Sequence, residues 1–388
     1  MKNKTSSGFW AAAFLMATSA IGPGFLTQTT VFTQELLASF SCIILVSILL
    51  DIGVQLNVWQ ILFARRQTAN QVADTLLPGL GKVLAMLIVT GGFAFNIGNI
   101  AGAGLGLETV TGIPNRISAA ITVGLILLLM MSRQRALPFM DQAVKWMGIS
   151  MIILTGYVAV SSAPPLGELA IQTIRPSRFD YKALLTIVGG TVGGYICFAG
   201  AHRILEASKT EEITLKSVRR SAITGILTAS IMRYLLFLAA LGVASRGLLS
   251  ASGNPSAEVF RQAAGETGFR LFGIVMWCAA VTSVLGSAYT SISFARSYLP
   301  WLDKHPEKGI QVFIISSAIF FLFWGKPVQL LLAAGLINGI ILPVSMVILL
   351  VAVGDKKSSY QHPRSLQIVG WLIAALLTWT TIQVLLQN

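Results

Sequence analysis

Charged residues are scarce in this chain. Only 11% of its 388 residues are Asp, Glu, Lys or Arg, whereas 54% are hydrophobic, and the mean hydropathy is +0.74. A soluble domain carries about 25% charged residues, so this composition excludes a soluble enzyme, a disulfide-stabilised scaffold and a disordered chain. It is typical of an all-α integral membrane protein with several spans, whose main partner is the lipid bilayer.

Cysteine and histidine are also scarce. The 3 cysteines lie in apolar stretches and are odd in number, which favours packing roles over disulfides or a zinc site. The 3 histidines have no spacing typical of metal ligands or of a catalytic triad, and no P-loop motif is present. We therefore expect no enzyme activity, no cofactor and no ATP-driven transport by this chain alone.

Long apolar runs predict the membrane topology. A bilayer core about 30 Å thick needs about 20 apolar residues per helix. The eleven predicted spans are Phe9–Leu37, Ser41–Phe63, Val83–Val110, Ile117–Met131, Trp146–Val160, Ala183–Leu205, Ser221–Ala244, Leu271–Tyr298, Ile310–Trp324, Val328–Val353 and Leu366–Leu386. A cleaved signal peptide is the alternative for the first span, because Lys2 and Lys4 precede its apolar stretch.

The basic residues predict the orientation. Most of the 28 Lys and Arg residues fall in six short segments on one side of the predicted membrane, the side that holds the N-terminus. The positive-inside rule therefore places the N-terminus in the cytoplasm and the C-terminus outside, in a multi-pass plasma-membrane protein. Because these residues are scattered, the net charge of +13 does not indicate a nucleic-acid partner.

Glycine clusters interrupt the first and sixth spans. Gly22-Pro23-Gly24 lies within the first, and the sixth contains a cluster from Gly189 to Gly194. Proline removes a backbone donor and glycine weakens a helix, so both spans are predicted to be discontinuous there. The matched positions predict a single domain with an inverted repeat: residues 9–160, residues 183–353 and an extra helix over 366–386. The alternative is that the glycines only let helices pack closely.

A few charged and amide side chains lie within the predicted spans. Asp51 is in the second span and Arg233 in the seventh, and both are candidates for coupling or gating. A structural ion pair, or an Arg233 side chain that reaches the membrane surface, is the alternative. Asn96 and Asn99 in the third span and Asn338 in the tenth are costly in hydrocarbon, so we expect them to face inward and include them among these candidates.

Three spans contain longer sequence patterns. The residues FNIGNIAGAGLGL from Phe95 to Leu107, followed by GIP from Gly112, are similar to a third-helix pattern DLAEVIGAAIGL that closes with GIP. GGTVGGY from Gly189 and IGPGF from Ile21 lie where the same family has GATVMPH and DPGN. The chain thus resembles the NRAMP-like proteins of the LeuT-fold superfamily. The resemblance implies a 5+5 inverted repeat plus one helix and ion-coupled secondary transport.

The matching positions lack that family's metal ligands. In its metal-transporting members, an Asp and an Asn of the first helix and a carbonyl and a Met of the sixth hold the ion; the corresponding residues here are Gly22, Phe25, Gly190 and Gly193. Tyr195 replaces the family's His, and Asn96 and Asn99 replace carboxylates that the family links to proton movement. A dehydrated divalent cation needs carboxylate oxygen or sulfur, and asparagine does not titrate.

Glycine backbone at two helix starts favours a different substrate. Free N–H groups and the positive end of a helix dipole attract a carboxylate, and glycine lets a ligand approach the backbone. We therefore expect Na⁺- or H⁺-coupled transport of a small organic acid or amino-acid-like solute, such as 5-oxoproline, without an obligate protein partner. The expected binding residues are Gly22, Gly24, Phe25, Thr27, Gln28, Gly190, Thr191, Gly193 and Tyr195. The alternative is a divalent cation such as Mn²⁺ or Mg²⁺, with Glu35 and Asp51 as ligands.

Overall fold

The computed structural model describes residues 21–131, 137–210, 212–249, 253–354 and 360–387, and every regular element in these ranges is a helix. The helices are α1 (Pro23–Leu36), α2 (Phe40–Arg65), α3 (Ala69–Leu76), α4 (Leu80–Thr111), α5 (Asn115–Met131), α6 (Leu137–Ser161), α7 (Leu166–Ile174), α8 (Tyr181–Val192), α9 (Ile196–Ala207), α10 (Leu215–Ala244), α11 (Pro255–Ala295), α12 (Pro300–Lys304), α13 (Pro306–Trp324), α14 (Pro327–Gly354) and α15 (Arg364–Leu386). A 3₁₀ turn, Leu37–Ser39, joins α1 to α2.

Most helices match a predicted span. Helices α2, α4, α5, α6, α10, α13, α14 and α15 each contain one of the predicted spans in full. By length and composition, 8 segments of the described ranges are long and apolar enough to cross a membrane. The number is 9 if α6 and α7, which are bent relative to each other, together form one span. The architecture is thus confirmed as all-α and multi-spanning, while the count of eleven and the orientation stay predictions. Residues 9–20 of the first predicted span lie outside the described residues.

The sixth span is broken, as predicted, but the break includes only the C-terminal end of the glycine cluster. Helix α8 ends at Val192 and α9 begins at Ile196, so the interruption consists of Gly193, Gly194 and Tyr195. Gly189 is helical and packs on α14, where a Cβ would lie 2.7 Å from the Cα of Gly339. The close-packing interpretation therefore applies to the start of the cluster, and the helix-break interpretation applies to its end.

The first span has its helix start at the predicted position. Gly22 is extended, with φ −101° and ψ −178°, and α1 begins at the next residue, Pro23. Proline is favoured at a first helical position because its missing N–H would have no partner there. The Gly22-Pro23 pair therefore starts a helix inside the apolar stretch.

Helix α11 is longer than the eighth predicted span. It begins at Pro255, and Gly265, with φ 65°, separates this first part from the rest of the helix. The hydroxyl of Ser256 donates to the carbonyl oxygen of Leu26, 3.1 Å away, and so holds the first part against α1. The sequence prediction began at Leu271 because charged residues interrupt the apolar run before it.

Helix packing brings the start of α1 close to the helices that surround the break between α8 and α9. Helices α4 and α11 lie along each other, α14 packs on both α8 and α4, and α10 packs on α2 and α1. Glycine permits the closest approaches: a Cβ on Gly106 of α4 would lie 2.6 Å from the backbone nitrogen of Trp277 in α11. The starts of α1 and α9 consequently face α4 and α11.

Candidate substrate site at the two helix breaks

The start of α1 faces neutral polar groups. A Cβ on Gly22 would lie 3.4 Å from Oγ of Ser283 and 3.8 Å from Oδ1 of Asn99. None of the described side chains caps this helix start, and the first N–H groups of a helix have no partner within the helix. An amide and a hydroxyl therefore lie beside the positive end of α1.

Asn338 holds the break between α8 and α9. Its Oδ1 accepts from the backbone nitrogen of Tyr195 at 3.1 Å, and its own carbonyl accepts from the nitrogen of Gly194 at 3.2 Å. Its Nδ2 donates to the carbonyl oxygens of Gly91 in α4, at 3.0 Å, and Ala334 in α14, at 2.9 Å. Asn338 thus connects the break to two neighbouring helices and has a positioning role.

Tyr195 lies between α4 and α11. Its ring is 5.7 Å from that of Phe95, centroid to centroid, and its hydroxyl lies near Thr290. Gly92 beside it leaves room for Ser291, since a Cβ there would collide with Oγ of Ser291, whereas its 3.5 Å distance to the Tyr195 ring would be an ordinary contact. Gly92 could not be identified from the sequence, because its role depends on a contact with a residue nearly 200 positions away.

Asn96 and Ser291 have unused hydrogen-bonding capacity. Both are fully buried, and among the described residues neither amide atom of Asn96 nor the hydroxyl of Ser291 has a partner. Asn96 lies one turn after Gly92 on the same face of α4, and Asn99 is 5% exposed near Gly22. The predicted inward-facing amides of the third span therefore lie where the two breaks meet.

Gln28 fills the space between α1, α8 and α14. Its Nε2 donates to the carbonyl oxygen of Leu331 at 3.0 Å, and lies 3.5 Å from where a Cβ on Gly24 would be. A Cβ on Gly190 would collide with Oε1 of Gln28, an atom without a partner in the described part of the chain. Gly24, Gln28 and Gly190 thus form one contact. The buried Thr27 hydroxyl beside them is likewise without a partner among the described residues.

The tight contact at Gly190 predicts the effect of a single methyl group. We expect Gly190→Ala to lower the unfolding temperature, because overpacking a core costs about 1–3 kcal/mol. In a Gln28→Ala background, which lacks the colliding atom, the same change should cost much less. The control is Gly124→Ala in α5, where a Cβ meets no described atom within 4 Å. Thermal unfolding in detergent measures the variants; equal stability of Gly190→Ala and Gly124→Ala would contradict the prediction.

Asp51 and Arg233 form a buried charged cluster with two predicted binding residues. Asp51 of α2 is 1% exposed and Arg233 of α10 is 2% exposed, and their charges lie close enough to interact. The Thr191 hydroxyl, which donates to the carbonyl oxygen of Ile187 at 2.8 Å, lies near the Asp51 carboxylate. The guanidinium carbon of Arg233 lies 4.2 Å from the centroid of the Phe25 ring. A buried carboxylate therefore lies beside the end of α8, and a buried guanidinium lies beside the start of α1.

Glu35 lies apart from this cluster. It is exposed at the end of α1, about 15 Å along the helix from Phe25, and its charged neighbours are Arg178, Asp180 and Lys182. Glu35 and Asp51 therefore do not share a site. In the described ranges, no group of three or more His, Cys, Asp or Glu side chains is arranged to hold a metal ion.

Gly193 is too enclosed to carry a side chain in this structure. A Cβ there would collide with the carbonyl oxygen of Gly189 and lie 2.6 Å from the Cβ of Asn338. Nearby, the indole nitrogen of Trp59 in α2 donates to the carbonyl oxygen of Cys197 at 3.0 Å, which ties α2 to the first turn of α9. Backbone and neutral side chains thus form the wall of the site at this break.

Comparisons with known proteins agree with this architecture. Residues 13–387 match the model of the family described as natural resistance-associated macrophage protein-like, or Nramp. Similar proteins include the uncharacterized membrane protein YcsG of Bacillus subtilis, 46% identical over 96% of this chain and 93% of its own, and an uncharacterized membrane protein of Haemophilus influenzae, 46% identical over 96% and 94%.

Solved structures share the fold at low sequence identity. A manganese transporter of Eremococcus coleocola is 17% identical, with a TM-score of 0.71 over 98% of this chain and 87% of its own. MhsT in complex with L-phenylalanine is 17% identical, with a TM-score of 0.60 over 99% and 98%. The expected LeuT-like fold is thereby confirmed, and fold and family indicate a membrane transporter and not an enzyme. The chain belongs to the Nramp family.

Proposed function

We propose that this protein is a secondary-active transporter that moves a small organic acid or amino-acid-like solute, coupled to Na⁺ or H⁺. It would act in the plasma membrane, with the N-terminus in the cytoplasm and the C-terminus outside. The observation that carries the proposal is the set of buried polar atoms without partners, among the described residues, on α1 and on the two helices that it faces, α4 and α11. They belong to Thr27, Gln28, Asn96 and Ser291.

This set suits an organic solute because it contains donors as well as acceptors. Amide N–H and hydroxyl groups donate hydrogen bonds, which a metal cation cannot accept. A buried polar group without a partner costs about 1–3 kcal/mol, so a ligand that supplies the partner recovers part of that cost. The uncapped N–H groups at the start of α1 add donors for a carboxylate.

Other proteins of this fold hold organic ligands. MhsT has been solved in complex with L-phenylalanine, and the nucleobase-cation-symport-1 family transporter Mhp1 with bromovinylhydantoin bound. Mhp1 is 14% identical to this chain, with a TM-score of 0.59 over 97% of this chain and 92% of its own. These likenesses extend to the fold alone, and they support the proposal by showing that the fold accommodates such ligands.

Divalent cation transport is the second candidate. It is favoured by the family and by the structural neighbour from Eremococcus coleocola, which is named as a manganese transporter. In this chain Asp51 supplies a buried carboxylate oxygen, Oδ1, that has no partner in the described ranges. The separation of Glu35 from Asp51 leaves a single acid for such an ion, which weakens this alternative.

Thermal shift of the purified protein tests the two candidates. A panel of small carboxylates, including 5-oxoproline and amino acids, is compared with Mn²⁺ and Mg²⁺, with and without Na⁺ and at several pH values. A ligand at one hundred times its Kd stabilises the folded state by about 2.7 kcal/mol. We expect an acid to raise the unfolding temperature and the metals to have no effect. Stabilisation by a divalent ion alone would overturn the proposal in favour of the second candidate.

A further inference from the structure

We propose that Arg233, whose guanidinium lies over the Phe25 ring, binds the carboxylate group of the transported solute. This inference rests on the proposed function and deepens it by assigning the residue that recognises the acid group. In the absence of solute, Asp51 is the counter-ion of Arg233. The bound carboxylate then shares this role with Asp51.

The free atoms of Arg233 lie on one edge of its guanidinium group. Nε and Nη2 have no hydrogen-bond partner among the described residues, although the side chain is 2% exposed. These two nitrogens point their N–H bonds in the same direction, which is the geometry that a carboxylate accepts as a pair of parallel hydrogen bonds. The vacant edge therefore matches one particular chemical group.

Phe25 lies against the guanidinium of Arg233. With 4.2 Å between the guanidinium carbon and the ring centroid, the aromatic face covers one side of the cation and stabilises it by a cation–π interaction. The edge N–H groups lie in the plane of the guanidinium and are left free by this contact. Arg233 is thus pre-oriented, so a ligand does not have to order a mobile side chain before binding.

The position of Phe25 places this edge at the start of a helix. Phe25 is the third residue of α1, and no described side chain caps that helix. The positive end of the α1 dipole and the Arg233 charge therefore act on the same small region. Two independent features, a buried cation with a vacant edge and an uncapped helix start, both favour an anion there.

Asp51 compensates the Arg233 charge without bonding to Nε and Nη2 of the guanidinium. The two charges interact, but no ion pair within 4.0 Å joins them, whereas five other pairs in the described part of the chain meet that limit. A further titratable group that interacts with Asp51 is the thiol of Cys197, from α9. A purely structural pair would be expected to close to hydrogen-bonding distance, because buried charges repay their desolvation only in good geometry. The open pair leaves Arg233 available to a second carboxylate.

The test compares an acid with its own amide. We measure binding to the purified wild-type protein and to the variants for two pairs of ligands. The first pair is 5-oxoproline and its carboxamide, and the second is the acid of the panel that binds most tightly and its carboxamide. We expect the wild type to prefer the acid at least about 30-fold, a factor within the range of hydrogen bonds to charged groups. Arg233→Met should reduce this preference to about 1, and Arg233→Lys should reduce it at least about fivefold, because an ammonium group cannot form the parallel pair.

Control variants separate loss of recognition from loss of folding. Arg246→Met, just after α10, removes a 2.8 Å bond from Arg246 to the carbonyl oxygen of Ser162 and should leave the preference unchanged. If Arg233→Met does not fold, Arg233→Lys retains the charge and decides the question. A folded variant that keeps the wild-type preference would overturn the role of Arg233 and leave the proposed function intact. Failure of every acid to bind the wild type would overturn the proposed function itself.

Discussion

Replacing Asp51 with asparagine is expected to abolish the dependence of solute uptake on the driving cation and to lower gradient-driven uptake at least about tenfold. Asparagine cannot exchange a proton, and without a charge it holds Na⁺ more weakly than a carboxylate does. The substitution also leaves Arg233 as an uncompensated buried charge, and breaking a buried pair costs about 3–5 kcal/mol. Uptake into proteoliposomes, with imposed Na⁺ or pH gradients, measures the effect.

The charges of the cluster explain why a cation should accompany the solute. Asp51 and Arg233 together carry no net charge when both are ionised. A carboxylate bound beside them makes the buried group negative, and a proton or Na⁺ that enters with it restores neutrality. Glu35→Gln is the matched control, because Glu35 is an exposed acid on α1. Unchanged cation dependence in Asp51→Asn would assign Asp51 a structural role only.

Asn338→Ala is expected to lower the free energy of unfolding by roughly 3 kcal/mol and to reduce uptake at least about tenfold. The change leaves the backbone nitrogen of Tyr195 and the carbonyl oxygen of Gly91 without their side-chain partner. Each buried polar group left without a partner costs about 1–3 kcal/mol. Because Tyr195 precedes α9, the loss also frees the start of that helix. Thermal unfolding in detergent and uptake into proteoliposomes measure the two effects.

The matched control is Asn115→Ala at the start of α5. It removes one long hydrogen bond, 3.3 Å from Nδ2 to the carbonyl oxygen of Ala101. We expect it to cost about 1 kcal/mol at most and to leave uptake close to that of the wild type. Equal effects of the two variants would mean that the position of the break does not depend on Asn338.

The spans could be predicted because the membrane restricts the solutions. Backbone polar groups in lipid must bond within the chain, so an apolar run of about 20 residues is helical whatever its neighbours are. The first part of α11, from Pro255 to Gly265, escaped the prediction because it bears charges and owes its position to Ser256 and Asn254. Hydropathy does not detect helices that are held by a few hydrogen bonds.

The sequence located the second break only to within a few residues. Glycine weakens a helix, and it also lets helices approach closely, so a run of glycines is compatible with either role. The position of the break is determined by Asn338 of α14, which accepts hydrogen bonds from the backbone nitrogens of Gly194 and Tyr195. A partner about 140 residues away leaves no local signal in the glycine pattern.

The candidate site was partly visible in the sequence. Charges inside a membrane are costly, which identified Asp51 and Arg233 from their position alone. Their association with Phe25 and Thr191 depends on how α1, α2, α8 and α10 pack. The sequence also did not distinguish Asn338, whose bonds hold the break, from Asn96, whose amide has no partner among the described residues.

The hydrogen bond from Trp59 to Cys197 makes α9 observable by intrinsic fluorescence. The Trp59 indole is 1% exposed and packs against Gly200. A Cβ on Gly200 would lie 3.4 Å from the indole nitrogen. Any shift of α9 against α2 changes both the hydrogen bond and the packing around this indole, and therefore its emission. Because Trp59→Phe removes that component while the other tryptophans are kept, the difference spectrum follows the motion of α9 during a transport cycle without an attached dye.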